Sequence, residues 1–230
     1  MDLGLYIAAS GMVAEQTRQD QLSNDLANAS TPGYKADESP QHNFGAVLLA
    51  NTHGSPAIGS VDAGVALGKT FTEMAPASIQ ETGEPLDFAI EGTGFFAVRT
   101  AQGVRYTRDG QFTSSAAGIL TDQYGNPVLS QSGGQIKVPA AGTLPATAVG
   151  AFEVPGAQKQ GENLFTGAST GKAAGSVRQG ALEGSSVDAA KVMIEMITSL
   201  RSFQSGQQAI QAIGQTLQAA STQVGSMNAS

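Results

Sequence analysis

Apolar residues recur at seven-residue intervals toward the carboxyl end of the chain. The repeat consists of Met196, Phe203, Ile210, Leu217 and Val224. An apolar repeat of this period and length is typical of helices that pack side by side. It predicts one long helix over residues 186–226. Ser185, with Asp188 three positions later, has the spacing of a capping box at the start of that helix.

The amino-terminal segment carries a second apolar stripe. Leu5, Met12, Leu22 and Leu26 fall on a similar helical repeat, which predicts a helix over residues 2–28. The helix should end before Thr31-Pro32-Gly33, because a residue that precedes proline is pushed out of the helical region and glycine favours a turn. The chain therefore begins and ends with a helix that has one apolar side.

Between the helices, short runs of branched and aromatic residues alternate with turn signals such as Asp109-Gly110 and Gly125-Asn126. Closely spaced turns favour antiparallel hairpins over helical crossovers. The sequence therefore predicts an α+β fold, with the two terminal helices paired as a coiled-coil-like inner domain and a central antiparallel β-rich domain. The predicted parts are a helical terminal domain (1–34 and 180–230), a connector (35–68), the β-rich domain (69–154) and a second connector (155–179).

The C-terminal helix lacks charge beyond its first part, because no Asp, Glu, Lys or Arg follows Arg201. A solvated helix normally carries charge on its outer face. One interpretation is that the helix packs on its own β domain. We favour the alternative, in which it is surrounded by the N-terminal helix and by other copies of the chain. The residues predicted to form this assembly interface are Leu5, Met12, Leu22, Leu26, Met196, Phe203, Ile210, Leu217 and Val224.

The net charge of -7 and the scattered Lys and Arg residues argue against nucleic acid or an anionic membrane surface as a partner. The chain has no cysteine, and its two histidines, His42 and His53, lie in a loop-like stretch with few nearby carboxylates, so we expect no metal site. No arrangement of residues suggests catalysis, and we expect neither an enzyme nor a cofactor. Asp87 and Arg108 could form an exposed ion pair, which would contribute about 0–1 kcal/mol.

The amino-terminal apolar stretch does not have the pattern of a cleavable export signal. The apolar stretch from Leu3 follows Met1-Asp2, and the first cation is Arg18, whereas a cleavable secretory signal has a positive start. We therefore interpret this stretch as part of the mature protein. No apolar run approaches the length of a membrane-spanning helix, so direct membrane insertion is not expected.

Four ordered segments resemble flagellar rod and hook proteins. Residues 22–35, LSNDLANASTPGYK, are similar to the N-terminal signature of that family, with Asp25 where asparagine is usual. Residues 83–96, GEPLDFAIEGTGFF, and the block that begins with YTRDGQF at 106–112 resemble its central motifs. Residues 179–188, QGALEGSSVD, resemble the segment that precedes its last helix, with Ser186 in place of asparagine.

This resemblance implies a structural subunit of the bacterial flagellar basal-body rod, located in the cell envelope and exported by the flagellar type III apparatus without a cleaved signal. It also implies helical self-assembly and partners that are copies of the chain and other rod and hook proteins. The position in the proximal or distal rod stays open. The alternative is a secreted β-domain binding module that its terminal helices oligomerise. Filaments would indicate the rod subunit, and small closed oligomers the module.

Overall fold

The structure is a computed structural model that describes residues 2–43, 65–140, 142–161 and 163–227. Helix α1 spans Asp2–Ala27 and helix α2 spans Ala189–Met227, close to the predicted ranges. The predicted capping box is wrong, because α2 begins beyond Asp188. The Ser185 hydroxyl instead accepts a hydrogen bond from the Val187 N–H, which lies in the turn before the helix.

Short strands occupy most of the chain between the helices. They are β1 (Asp37–Glu38), β2 (Gln41–Asn43), β3 (Val65–Leu67), β4 (Phe71–Thr72), β5 (Ile79–Glu81), β6 (Phe88–Glu91), β7 (Phe96–Thr100), β8 (Gly103–Thr107), β9 (Thr113–Ser114), β10 (Leu120–Thr121), β11 (Phe152–Glu153), β12 (Gln158–Lys159), β13 (Leu164–Thr166), β14 (Gly171–Lys172), β15 (Ser176–Gln179) and β16 (Ala181–Glu183). A 3-10 turn, Ala146–Ala148, precedes β11.

The strands pair antiparallel, as the hairpin pattern predicted. The largest sheet has the order β12-β13-β8-β7, and β6 pairs with β15 while β5 pairs with β16. The α+β prediction is therefore confirmed, with two helices packed together and a central β-rich region.

Residues 155–179 differ from the predicted connector, because they contain β12 to β15. These strands have two to four residues each and carry mostly polar side chains, so no apolar alternation marks them. Two of them pair with strands distant in sequence, which place Phe165 opposite Tyr106 and Val177 opposite Ile90. Strand β12 pairs with its neighbour β13, and β14 pairs with β11. In the other predicted connector, 35–68, strands β2 and β3 pair, and residues 44–64, which include His53, lie outside the described residues.

Two apolar clusters fill the β-rich region. Successive residues of β7 point to opposite faces, so Phe96 and Val98 enter one cluster while Ala97 enters the other. The ring of Phe96 meets that of Phe112 edge-on, with the two centroids 5.2 Å apart. Residues on both faces are therefore buried in the first part of β7.

The chain forms two compact units, which we call the helical unit and the β unit. The helical unit comprises Met1–Leu26, Asp37–Phe71 and Ala189–Ser230, and the β unit comprises Ala27–Ala36 and Thr72–Asp188. Ala27, the last residue of α1, and residues 28–36 thus belong to the β unit.

Candidate functional site

The first candidate surface lies on the helical unit, where α1 and α2 pack antiparallel. The Cδ1 atom of Ile213 lies 3.8 Å from the position that a Cβ on Gly4 would take, and Met12 Cγ lies 2.9 Å from the corresponding position on Gly206. Further along, Arg18 pairs with Glu195 at 3.6 Å. As the residue numbers increase along α1, the numbers of the residues that they contact on α2 decrease, as expected for antiparallel helices. The small residue Gly206 allows Met12 to approach the backbone of α2 closely.

A polar contact interrupts the apolar packing of this helix pair. The hydroxyl of Ser199, which is buried, donates a hydrogen bond of 2.6 Å to the Glu15 carboxylate. The amide nitrogen of Gln19, one turn further along α1, is buried without a hydrogen-bond partner. Glu15 and Gln19 are the residues that interrupt the apolar stripe of α1 in the sequence. The structure gives Glu15 a partner on α2, and such a polar pair favours one register of the two helices.

The residues predicted for the assembly interface take several positions on the pair. Leu22 is buried, while Leu26, Met196, Phe203, Ile210 and Leu217 are half-buried, like Met12, and Leu5 is exposed. The side chain of Val224 lies outside the part that the structure describes. The half-buried residues therefore cover part of their surface within the subunit and leave part available for other contacts.

A second apolar row was not singled out by the seven-residue repeat. Ile194 is 65% exposed and Ile197 is 53% exposed, and they lie one helical turn apart on α2. Tyr6 and Val13, two turns apart on α1, are each 62% exposed. Met193 and Leu200 are also exposed. An apolar row of this kind on a water-soluble surface marks a site of protein contact, because burial of such side chains is favourable by roughly 1.5–3 kcal/mol each.

The second candidate site is a cluster of three buried ions in the β unit. The ammonium of Lys35 lies 2.7 Å from Glu183 Oε1, and the guanidinium of Arg108 lies 2.9 Å from Glu183 Oε2. These residues are among the most buried in the chain, with Lys35 0%, Glu183 1% and Arg108 4% exposed. Further hydrogen bonds run from Lys35 to the carbonyl of Ala75 and from Arg108 to the carbonyl of Gly92.

The electrostatics of the cluster follow from its burial. Two cations face one carboxylate, so the group carries a net positive charge within the protein. Removal of water from Lys35 lowers the pKa of its ammonium, and the neighbouring Glu183 carboxylate opposes that shift. The Arg108 guanidinium also lies 5.3 Å from the ring centroid of Phe95, a favourable position for a cation over an aromatic face.

Sequence reasoning missed this cluster and assigned Arg108 to another partner. The carboxylate of Asp87 accepts a hydrogen bond from the Thr82 hydroxyl, while Arg108 pairs with Glu183. Lys35 and Glu183 both lie in motifs with a family resemblance, which could have drawn attention to them. Nothing in the sequence indicates, however, that the two motifs contact each other in the fold.

The described part of the chain contains no group of three or more His, Cys, Asp or Glu residues arranged to hold a metal ion. None of its helices is long and apolar enough to cross a membrane. A shallow pocket of about 310 Å³ is lined by residues 73, 75–78 and 185–188, in which carboxylate, hydroxyl and small apolar groups alternate.

Three family models match successive parts of the chain. Residues 5–35 match the model described as flagella basal body rod protein. Residues 89–154 match the D1 domain of the flagellar hook protein FlgE/F/G, and residues 178–223 match the C-terminal part of the flagellar basal body rod FlgEFG protein. The matches include Lys35, Arg108 and Glu183, so each model covers one member of the buried cluster.

Individual relatives match most of the chain. The flagellar hook-basal body complex protein FlhO of Bacillus subtilis is 30% identical over 96% of this chain and 98% of the relative. The flagellar basal-body rod protein FlgG of the same organism is 30% identical over 93% of this chain and 96% of the relative. FlgF of Rhizobium meliloti, also a flagellar basal-body rod protein, is 31% identical over 88% and 90%.

Proposed function

The chain belongs to the family of flagellar basal-body rod proteins, and we propose that it assembles helically with copies of itself into the rod, of which it is a structural subunit. The observation that carries the mode of assembly is the exposed apolar row on the helix pair. Exposure of the apolar side chains of Ile194 and Ile197 to water is unfavourable in a free subunit. Contact with neighbouring subunits would bury these two side chains.

The uncharged half of α2 supports packing on several sides. No charged side chain follows Arg201, so no desolvation of charge opposes the approach of another helix. The half-buried stripe at Phe203, Ile210 and Leu217 offers additional apolar area. We therefore assign the nine predicted interface residues to packing both within and between subunits, and add the exposed row as the outer contact.

The mechanical role follows from many equivalent contacts. In a helical assembly each subunit repeats the same contacts with its neighbours, so a twisting load is distributed over many interfaces. We assign torque transmission toward the hook to this arrangement. The proposed partners are copies of the chain, other rod and hook proteins, and the flagellar export apparatus, which would export the chain without a cleaved signal. No catalytic role, nucleic-acid binding or direct membrane insertion is proposed.

Assembly of the purified chain tests this proposal. Wild-type protein is concentrated and examined by sedimentation and electron microscopy beside a variant with Ile194→Asp and Ile197→Asp. A control carries Gln160→Asp and Ala174→Asp, which change the net charge equally at exposed positions of the β unit. We expect rod-like stacks from wild type and control, and monomers from the helix variant. Stacks from the helix variant, or small closed oligomers from wild type, would contradict the proposed contacts.

A further inference from the structure

Tyr124 lies at the tip of the turn 122–126, which follows β10, and its side chain is 64% exposed. Apart from Val104, the other large apolar side chains in the described part of the β unit are buried or half-buried. The aromatic ring therefore takes no part in the core of its own unit. Tyrosine combines a large apolar ring with a polar hydroxyl, and for that reason it is enriched where proteins contact one another.

The backbone of this turn is held in place by its own hydrogen bonds. Asp122 Oδ1 accepts the N–H groups of Tyr124 at 2.9 Å and Asn126 at 2.7 Å, and Asp122 Oδ2 accepts the Asn126 side-chain amide at 2.8 Å. Gly125 has a φ of +83°, which glycine adopts readily, and its N–H donates to the Asp122 carbonyl at 3.1 Å. These bonds order the backbone under Tyr124 before any contact forms, so burial of the ring costs little additional conformational entropy.

The shallow pocket of the β unit has the chemistry that a tyrosine side chain needs. It forms where the segment before β5 meets the segment after β16, next to the hydrogen bond of 2.8 Å from the Gly184 N–H to the Ser78 carbonyl. Its volume of about 310 Å³ is at the lower end of the range for pockets that hold a small molecule, and one aromatic side chain suits it. Glu73 and Ser78 supply acceptors for a phenol O–H. The apolar lining comes from Ala75, Pro76, Ala77 and Val187.

The turn and the pocket are formed by different segments of the β unit. The Gln123 side chain, beside Tyr124, donates to the Gln111 side-chain oxygen at 2.7 Å, whereas the pocket belongs to the segments next to β5 and β16. A contact that joins two different surfaces of identical subunits is heterologous, and it repeats without closing where successive rotations do not form a ring. The helical assembly proposed above, on which this inference rests, requires a contact of that kind.

We propose that Tyr124 of one copy inserts into the pocket of a neighbouring copy in the assembly. The ring packs against Pro76 and Val187, and the phenol O–H donates to the Glu73 carboxylate or the Ser78 hydroxyl. Each copy supplies one tyrosine and one pocket, so the same contact repeats from copy to copy. It is separate from the contact that the exposed row on α2 makes.

Cysteine cross-linking tests this contact, because the chain has no cysteine of its own. A Gln123→Cys variant, which keeps Tyr124, is assembled together with a Ser78→Cys variant and treated with a short bifunctional maleimide. Both positions are exposed, and each chain carries one cysteine, so a product that links positions 123 and 78 joins two copies. Mass spectrometry of the linked peptides identifies that product.

The matched control pairs Gln123→Cys with Gln160→Cys, which is exposed elsewhere on the β unit. Because the proposed contact holds position 123 beside position 78 and not beside position 160, the 123–78 product should exceed the 123–160 product about tenfold or more. Addition of Tyr124→Ser to the Gln123→Cys variant should abolish this excess. Equal yields of the two products in assembled protein, or an excess that survives Tyr124→Ser, would overturn the proposal.

Substitutions of Tyr124 alone separate this contact from the proposed function. Tyr124→Ser should raise the concentration needed for assembly about tenfold or more, as expected for loss of an aromatic anchor. Its melting temperature as a monomer should equal that of wild type, because the ring is exposed. Tyr124→Phe keeps the ring and should have a smaller effect. A Tyr124→Ser variant that assembles like wild type would overturn the contact and leave the rod function intact, whereas wild-type protein that stays monomeric would overturn both.

Discussion

Lys35 and Glu183 are separated by 148 positions in the sequence, and the Lys35 ammonium lies 2.7 Å from the Glu183 carboxylate in the interior of the β unit. Lys35 ends the N-terminal signature segment, and Glu183 lies in the segment that leads to α2. Two motifs that the sequence presents separately therefore form one structural element. Arg108, from the central motif block, completes it.

The unequal roles of the three ions lead to a stability prediction. Glu183→Gln should lower the free energy of unfolding by roughly 3–5 kcal/mol, because it leaves two buried cations without a carboxylate. Lys35→Met should cost less, because the pair of Glu183 and Arg108 remains. Urea unfolding of the full chain measures both. Glu91→Gln serves as the control, since Glu91 pairs with Arg178 at the surface and should contribute less than about 1 kcal/mol. A loss in Glu183→Gln no larger than in this control would refute the assignment.

Two glycines of α2 give a prediction about the helix pair. Gly214→Ala should raise the melting temperature, because a Cβ there meets nothing within 4 Å and alanine favours the helix by about 1 kcal/mol. Gly206→Ala should lower it, because the new Cβ would lie 2.9 Å from Met12 Cγ. Thermal unfolding followed by the helical circular dichroism signal measures both. Met12→Ala added to Gly206→Ala should recover part of the loss, and equal gains in both single variants would argue against close packing at Gly206.

Asp109 gives a prediction about pH. Burial raises the pKa of its carboxyl to about 6, the charges of Asp122 and Asp87 add to the rise, and a hydrogen bond from the Gln111 N–H opposes it. The folded chain therefore holds a proton between pH 4 and pH 6 that the unfolded chain has released, so stability falls as pH rises through this window. Asp109→Asn should remove the fall and raise the free energy of unfolding at pH 7 by roughly 1–2 kcal/mol. Urea unfolding at pH 4, 5, 6 and 7 tests this, and an unchanged pH slope in the variant would contradict it.

The helices could be predicted from the sequence because each has an apolar pattern that repeats over many turns. The predicted helix over 2–28 and the observed Asp2–Ala27 differ by one residue at the end. The turn pattern likewise indicated antiparallel strands. Strands β13 and β15 were missed because their partners β8 and β6 lie far away in the chain. Strands β12 and β14 were missed because a strand of two residues cannot show alternation.

The candidate sites were harder to predict than the fold. A seven-residue repeat selects one stripe, so Phe203 was identified while Ile194 and Ile197 on α2 were not. The pairing of Lys35 with Glu183 has no periodic signature at all. A single lysine after a Pro-Gly turn is expected to be solvated, and only the structure shows that Lys35 is buried.

Electron microscopy of basal bodies from cells that lack this chain tests the central claim most directly. Cells that carry the wild-type gene on a plasmid provide the control. We expect the deletion to leave basal bodies with an incomplete rod and no hook, and the plasmid to restore both. Complete rods with rotating flagella in the deletion cells would contradict the assignment of the chain as a structural subunit of the rod.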